Sequence, residues 1–316
     1  MIEVEGLVKR YRKAKRDAVD GISFTVGAGE FFALLGPNGA GKTTTISILT
    51  TTLAPTGGRA TIDGHDIVAE ASAVRRQVGI IFQRPSLDQN LTAEENVRFH
   101  AVLFGLYPYR PLYGLMPAAY RAQVEELAAL LGLEHEIFDP IRTYSGGMRR
   151  KLEIVRSLVH RPKVLFLDEP TAGLDAPSRR TLWDHLRTVR RENGTTIFLT
   201  THYLEEAEQA DRICIIDGGR IVAKGTPSAL KSDLSRESVV VDADDRGHLR
   251  LELERLDLHP TGEGPFTIPL DGRGTHATLK AIDTPLTLVR TESPSLEDAY
   301  LEIVARAEAP EVPASE

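Results

Sequence analysis

Residues 31–45, FFALLGPNGAGKTTT, decide how the rest of the chain is read. Phe31 to Leu35 is an unbroken apolar run, the pattern of a strand buried on both faces. A glycine-rich turn follows at once, and TTTISILT from Thr43 onward reads as a helix. Between them, Gly36-Pro37-Asn38-Gly39-Ala40-Gly41-Lys42-Thr43 satisfies G-x-x-x-x-G-K-[ST] in the strand–turn–helix setting that gives this pattern meaning. Glycines let successive backbone N–H groups turn inward around phosphate oxygens, and the helix adds its positive end. Lys42 is expected to reach the β- and γ-phosphates, and the Thr43 hydroxyl to ligate Mg²⁺, with Thr44 beside it at the helix start.

Phosphoryl transfer also needs a carboxylate near the metal and a group that orients water. The stretch VLFLDEP, residues 164–170, supplies both at the end of an apolar strand. Asp168 is expected in the Mg²⁺ shell and Glu169 as the general base that polarises the attacking water. Two adjacent carboxylates closing a buried strand are costly without a nearby cation.

Outward from these two stretches the chain alternates apolar runs with helical patterns, the layout of α/β architecture. Ile197 to Thr200 and Ile213 to Ile216 repeat the strand pattern. Val124, Leu127, Ala128 and Leu131 fall on one helical face with Gly132 as a stop, and Leu182, Leu186 and Val189 do the same ahead of Gly194. Composition shifts near residue 226. TPSALKSDLSRE reads as a connecting helix or linker, and VVVDADD opens a second unit. LRLELERLDL fits helix and strand templates equally. FTIPL and LTLVRT read as strands, and SLEDAYLEIVARA as a closing helix with Ser295 and Asp298 as its capping box. The ending, APEVPASE, has the composition of a disordered tail.

The 316 residues carry 38 basic and 45 acidic side chains, a formal charge of −7. Residues 236–316 hold 8 basic and 17 acidic side chains, which leaves the first part slightly positive. An acidic terminal unit disfavours nucleic acid and anionic lipid as partners. No stretch reaches 18 uncharged apolar residues, and the first residues lack the apolar core of a secretory leader. Cys214 is the single cysteine, so no internal disulfide forms and a reducing compartment is expected.

Tyr144-Ser145-Gly146-Gly147-Met148-Arg149 lies ahead of an amphipathic stretch, with Ser145 23 residues before Asp168. It resembles the signature motif of the ATP-binding-cassette ATPases, with Tyr144 and Met148 in place of the commoner Leu and Gln. The other motifs of that family follow in order. Gln83 in IIFQ matches the Q-loop, Gly173-Leu174-Asp175 the D-loop, His202 the switch histidine, and Tyr11 the aromatic that stacks on adenine. The resemblance covers residues 1–225 and implies a P-loop NTPase domain with a helical subdomain over about 84–160. It implies ATP and Mg²⁺ as cofactors, with Gln83 at the metal and the nucleotide, and a role for Asp175 and His202 at the nucleotide. It also implies a head-to-tail dimer, with itself or a paralogue, in which Ser145, Gly146 and Gly147 of one copy close over ATP held by the other.

The segments beyond are expected to be a linker at 226–237, a small α+β accessory domain at 238–306 and a tail at 307–316. The ending SPSLEDAYLEIVAR and the stretch SGGMRRKLEIVRSL resemble the daunorubicin/doxorubicin-resistance type of exporter ATPase. This implies the energy-coupling subunit of an efflux transporter, acting on separately encoded permease subunits at the cytoplasmic face of the membrane. The same engine serves polysaccharide or lipid exporters and importers, and soluble ATPases of translation or repair. Those soluble types carry a second cassette or long coiled coils, and neither is present. GLYPYRPLYGLMP, residues 105–117, cannot be a continuous helix because of its prolines, and its tyrosines suit either a contact surface or a plain insertion. Trp183 and Cys214 read as packing residues. The remaining histidines show no metal spacing. KRYRKAKR, residues 9–16, has the charge to meet lipid or nucleic acid, but because it flanks Tyr11 it reads as a solvated turn lending positive potential to the nucleotide mouth.

Overall fold

The computed structural model describes residues 1–82, 86–232, 238–270, 274–292 and 295–308. Gln83, the later part of the expected linker and the tail from residue 309 lie outside them. The chain divides into two units, Met1–Lys224 and Gly225–Glu316.

The first unit opens with β1 (Ile2–Lys9), β2 (Val19–Val26), β3 (Phe31–Leu35) and α1 (Lys42–Leu49). Then come β4 (Gly57–Ile62), β5 (His65–Asp66), α2 (Ala71–Gln77) and β6 (Val78–Ile81). Three helices follow, α3 (Ala93–Leu103), α4 (Ala118–Leu131) and α5 (Gly146–Leu158). The unit ends with β7 (Val164–Asp168), α6 (Ala176–Asn193), β8 (Thr196–Thr201), α7 (Leu204–Ala207), β9 (Arg212–Asp217) and β10 (Arg220–Gly225).

Six strands form one sheet in the order β10-β9-β3-β8-β7-β6, and β2-β1-β4-β5 form another. The neighbours of β3 in the first sheet, β8 and β9, run parallel to it, as do β6 and β7, and β7 and β8. Every residue of β3, β7 and β8 is buried, as strands covered on both faces require. Phe32 lies within 5.3 Å of Phe24 and 5.1 Å of Phe198, which in turn lies 5.2 Å from Phe166, ring centre to ring centre. This aromatic seam joins the two sheets and places the carboxyl ends of β3, β7 and β8 side by side. Ligands gather at that end of an open parallel sheet.

The helices begin and end where local chemistry dictates. α4 buries Tyr120, Val124, Ala128 and Leu131 and stops at left-handed Gly132; α6 buries Leu182, Trp183, Leu186 and Val189 and stops at left-handed Gly194. Trp183 stacks on Phe31, and Cys214 is buried, its thiol pushed up to about 12 by desolvation. α5 packs against α3, α4 and β6. The stretch 105–117 is irregular apart from a single turn of 3-10 helix at Tyr113–Leu115. Two of its three tyrosines turn inward: Tyr107 donates to Gln123 and Tyr113 to Glu125, while Tyr109 stays exposed against Phe99. The contact surface open to this stretch is thus one tyrosine and its leucines, because the other two rings pack on Tyr120.

The second unit contains α8 (Pro227–Ser232), β11 (Ser238–Asp242), α9 (Arg246–Arg255), β12 (Phe266–Pro269), α10 (Thr275–Lys280), β13 (Leu288–Glu292) and α11 (Leu296–Glu308). Its antiparallel sheet has the order β12-β11-β13. Val239, Val241, Leu249, Leu253, Phe266 and Ile268 build its core. In α11, Leu296, Ala299 and Ile303 fall at i, i+3 and i+7 and are buried. Ser295 and Asp298 exchange backbone and side-chain hydrogen bonds at its start, a reciprocal cap.

Candidate active site

The turn after β3 is shaped by two glycines that no other residue could replace. A Cβ on Gly36 would lie 2.2 Å from the Ile216 carbonyl oxygen. One on Gly41, whose φ is +109°, would lie 2.4 Å from that of Ala18. Backbone therefore packs where side chains would stand, and the first turn of α1 keeps its N–H groups free of any side-chain cap. Pro37 and Ala40 complete the turn, with the Ala40 amide donating to the Pro37 carbonyl at 3.3 Å.

Asn38, Gly39, Gly41, Lys42, Thr43 and Thr44 line a cavity of about 530 Å³ together with Ala18, Glu169, Ala172 and His202. Lys42 is 4% exposed, and its ammonium donates to the Gly36 and Pro37 carbonyls at 2.8 and 3.0 Å. Burial lowers its pKa, while Glu169 and then Asp168 pull it back up. The Glu169 carboxylate lies 3.5 Å from that ammonium and 3.1 Å from His202 Nδ1. Glu169 itself sits in the left-handed region at φ 46°, a strained geometry for a non-glycine residue, and its amide is tied to the Thr200 carbonyl at 3.0 Å. Three separate strand ends thus converge on one space.

Asp168 is 2% exposed and accepts from Thr43 Oγ1 at 3.2 Å and from Thr200 Oγ1 at 2.5 Å. A threonine hydroxyl and a carboxylate beside a phosphate cradle are hard oxygen donors. They suit Mg²⁺, which is held by few protein ligands and completed by phosphate and water. No group of three His, Cys, Asp or Glu side chains among the described residues could cage a metal instead. Tyr11 is exposed, and its hydroxyl lies 3.3 Å from Thr44 Oγ1 over the start of α1.

Ser145, Gly146 and Gly147 do not line this cavity. Ser145 caps α5, accepting from the Met148 amide at 3.2 Å, and with Gly147 it borders a separate hollow of about 150 Å³ beside Leu174 and Ser178. Asp175 is likewise a helix cap, accepting from the Ser178 amide at 2.8 Å, and the Ser178 hydroxyl and then that amide hold its pKa below the usual carboxylate range. Gln83 lies outside the described residues. Sequence reasoning missed Thr200 and Thr201, which anchor Asp168 and the buried Glu206. Their signal was the polar pair ending an apolar strand in IFLTTH. A larger hollow of about 630 Å³ opens at the opposite strand ends, beside Lys163 and Thr196, far from these convergent groups.

The family model described as ABC transporter matches residues 19–172. The daunorubicin/doxorubicin resistance ATP-binding protein DrrA of Streptomyces peucetius is 45% identical over 256 residues, 81% of this chain and 74% of that protein. The Nod factor export ATP-binding protein I of Ralstonia nicotianae is 38% identical over 314 residues, 97% of this chain and 94% of that protein. Among solved structures, a dimeric ATP-binding cassette in a post-hydrolysis state, bound to ADP and Pi, matches with a TM-score of 0.63 at 26% identity. It covers 72% of this chain and 98% of its own. A Clostridium perfringens cassette described as part of an ABC transporter complex matches with a TM-score of 0.64 at 28% identity, covering 81% and 96%. With the phosphate cradle, the buried lysine and the paired carboxylates at one sheet end, these likenesses make the chain a member of the ABC transporter ATP-binding proteins, an ATPase on the P-loop cassette fold.

Proposed function

We propose that this chain is the energy-coupling subunit of an ABC efflux transporter, exporting a drug, antibiotic or lipid through separately encoded permease subunits at the cytoplasmic face of the membrane. Similarity to exporter subunits along nearly the whole chain, second unit included, supports export over import. Around the start of α4, Leu103, Leu106, Tyr109, Leu112 and Leu115 are exposed, an apolar surface suited to cover by a permease. Among the described residues no helix is long and apolar enough to cross a membrane.

The observation that carries the hydrolytic assignment is Glu169, set between the Lys42 ammonium and the His202 imidazole. With ATP bound, Lys42 exchanges two carbonyls for β- and γ-phosphate oxygens, and the backbone N–H groups of 36–43 surround the phosphates. Tyr11 lies against adenine. Thr43 and Asp168, with Gln83, would hold Mg²⁺, which when bound neutralises charge on the phosphates. Glu169 takes a proton from water as the oxygen attacks the γ-phosphorus, and the bond to the β-phosphate oxygen breaks, leaving ADP. His202 contacts the γ-phosphate and orients Glu169. Ser145, Gly146 and Gly147, with Asp175, serve the nucleotide of the second copy. Their position outside the local cavity fits that arrangement.

Replacing Glu169 with Gln should leave ATP binding intact, reduce kcat by about a thousandfold and trap an ATP-bound dimer. Turnover equal to that of the wild type in this variant would remove Glu169 as the base. Export itself is tested by drug accumulation in cells expressing the chain with its permease, where Glu169→Gln should restore accumulation.

A further inference from the structure

Helix α5 carries buried charges that the nucleotide cavity does not use. Arg150 is 6% exposed and Glu153 is fully buried. Arg150 Nε donates to the carbonyl of Pro170, the residue after Glu169, at 2.8 Å. Its Nη1 donates to the Phe82 carbonyl at 2.6 Å and to Glu153 Oε2 at 2.9 Å. The other Glu153 oxygen accepts from the Ser86 amide at 3.0 Å. One turn further on, Arg156 donates to the Ser86 carbonyl at 2.8 Å and to its hydroxyl at 2.6 Å. Residues spaced by three thus form one helical face. That face grips the main chain on both sides of Gln83 and just beyond Glu169.

Such bonds fix backbone rather than side-chain positions. The Glu169 backbone is strained, and small displacements of a catalytic group cost rate steeply. Ser145 precedes Arg150 by five residues of rigid helix, roughly 7.5 Å along the axis. A displacement at the Ser145 tip therefore reaches Pro170 without passing through any flexible element. A buried ion pair is often replaceable by apolar packing at no loss of stability, so stability alone does not account for this one. Arg150 Nη2 is also buried and has no acceptor among the described residues.

We propose that Arg150, held by Glu153, is a positioning residue that couples the Ser145-Gly146-Gly147 tip to the Glu169 backbone and to the chain flanking Gln83. Contact of the tip with the nucleotide of the second copy then sets the base for attack. This rests on the assignment of Glu169 above.

The test compares ATP affinity, KM and kcat in the full-length chain. Arg150→Ala should bind ATP within about threefold of wild type, keep its KM and lose about tenfold or more in kcat. Arg150→Lys, able to reach one of the two carbonyls, should recover part of that loss. Because truncating one partner of a buried pair can unfold a protein, the double variant Arg150→Met with Glu153→Leu replaces the pair by apolar volume. It should fold with a wild-type Tm and show the same selective fall in kcat. A stable double variant with kcat within twofold of wild type overturns the proposal, as does a folded Arg150→Lys no better than Arg150→Ala. Undiminished turnover in Glu169→Gln would instead overturn the assignment beneath it, whatever Arg150 does.

Discussion

Two helix starts in the first unit, those of α1 and α5, differ from that of α3 in one respect. Neither α1 nor α5 has an acidic residue in its first turn. α3 has Glu94 and Glu95 there, with Thr92 and Glu95 exchanging hydrogen bonds in a full capping box. Carboxylates at a helix start complement its positive end and stabilise the helix. α3 uses that positive end internally. α1 and α5 have no such carboxylate, α1 with no side-chain cap at all and α5 with only the neutral Ser145, and in the proposed function both positive ends face an outside anion. The difference teaches that a helix start can serve its own fold or a ligand; α2, α4 and α6 also lack first-turn carboxylates, so at α1 it is the glycine turn and the convergent cavity, and not the charges alone, that mark a ligand end.

The strongest break in this comparison is at α1. Lys42→Ala removes the cation that completes the proposed cradle, takes the ammonium from the Gly36 carbonyl and leaves the Pro37 carbonyl with only the Ala40 amide. ATP affinity measured with a fluorescent nucleotide should fall by about a hundredfold or more. Affinity equal to that of the wild type would contradict the phosphate-cradle assignment.

A sharper test lies at α5. Ser145→Asp preserves the cap, because aspartate is as good an N-cap as serine and suits the helix dipole. Its Tm should be unchanged or slightly raised. The same carboxylate would repel a phosphate arriving from a second copy, so turnover should fall roughly tenfold to a hundredfold while ATP binding to the single chain stays normal. Normal turnover with a normal Tm would show that the α5 start meets no anion.

The contrast also explains what the sequence makes legible. The α1 start announces itself because strand, glycines, lysine and threonine are contiguous, and steric necessity at Gly36 and Gly41 admits no substitutes. Lys42, Thr43, Asp168, Glu169 and His202 come from separate stretches and gather at one place because β3, β7 and β8 are neighbours. Apart from the Glu153 pair, the Arg150 contacts are invisible in the sequence, since the other partners are the main-chain carbonyls of Phe82 and Pro170, which carry no residue-type signal. In the second unit, the leucines at 249, 251 and 253 alternate like a strand's. The helix forms because Leu249 and Leu253, at i and i+4, reach the core while Leu251 stays 63% exposed. Period alone could not separate those outcomes.

At α3 the expected effects concern stability and not chemistry. Thr92→Ala deletes the cap and should cost about 1 kcal/mol, lowering Tm by roughly 2–4 °C. Its ATP affinity and kcat should remain those of the wild type. A large loss of activity there would erase the distinction between helix starts.

The smallest effect lies at the other end of α3. Burial pushes the His100 imidazole down to about 3, with Arg156 and His160 adding repulsion. The ring packs 4.4 Å from Phe104, and its Nε2 has no partner among the described residues. An unfolded histidine titrates near 6.5, so below that pH the unfolded chain binds a proton that the folded chain refuses. The neutral ring's contribution is fully present above about pH 6.5 and is lost progressively as pH falls toward 3. His160 is depressed for the same reason and adds to that acid limb. His100→Phe keeps an aromatic ring in the apolar pocket and removes one titration. Its Tm should match the wild type at pH 7.5 and fall less steeply between pH 6.5 and 5, with kcat at pH 7.5 unchanged. Parallel acid limbs for the two proteins would mean that His100 protonates freely in the folded state, and that this end of α3 is open to water rather than packed.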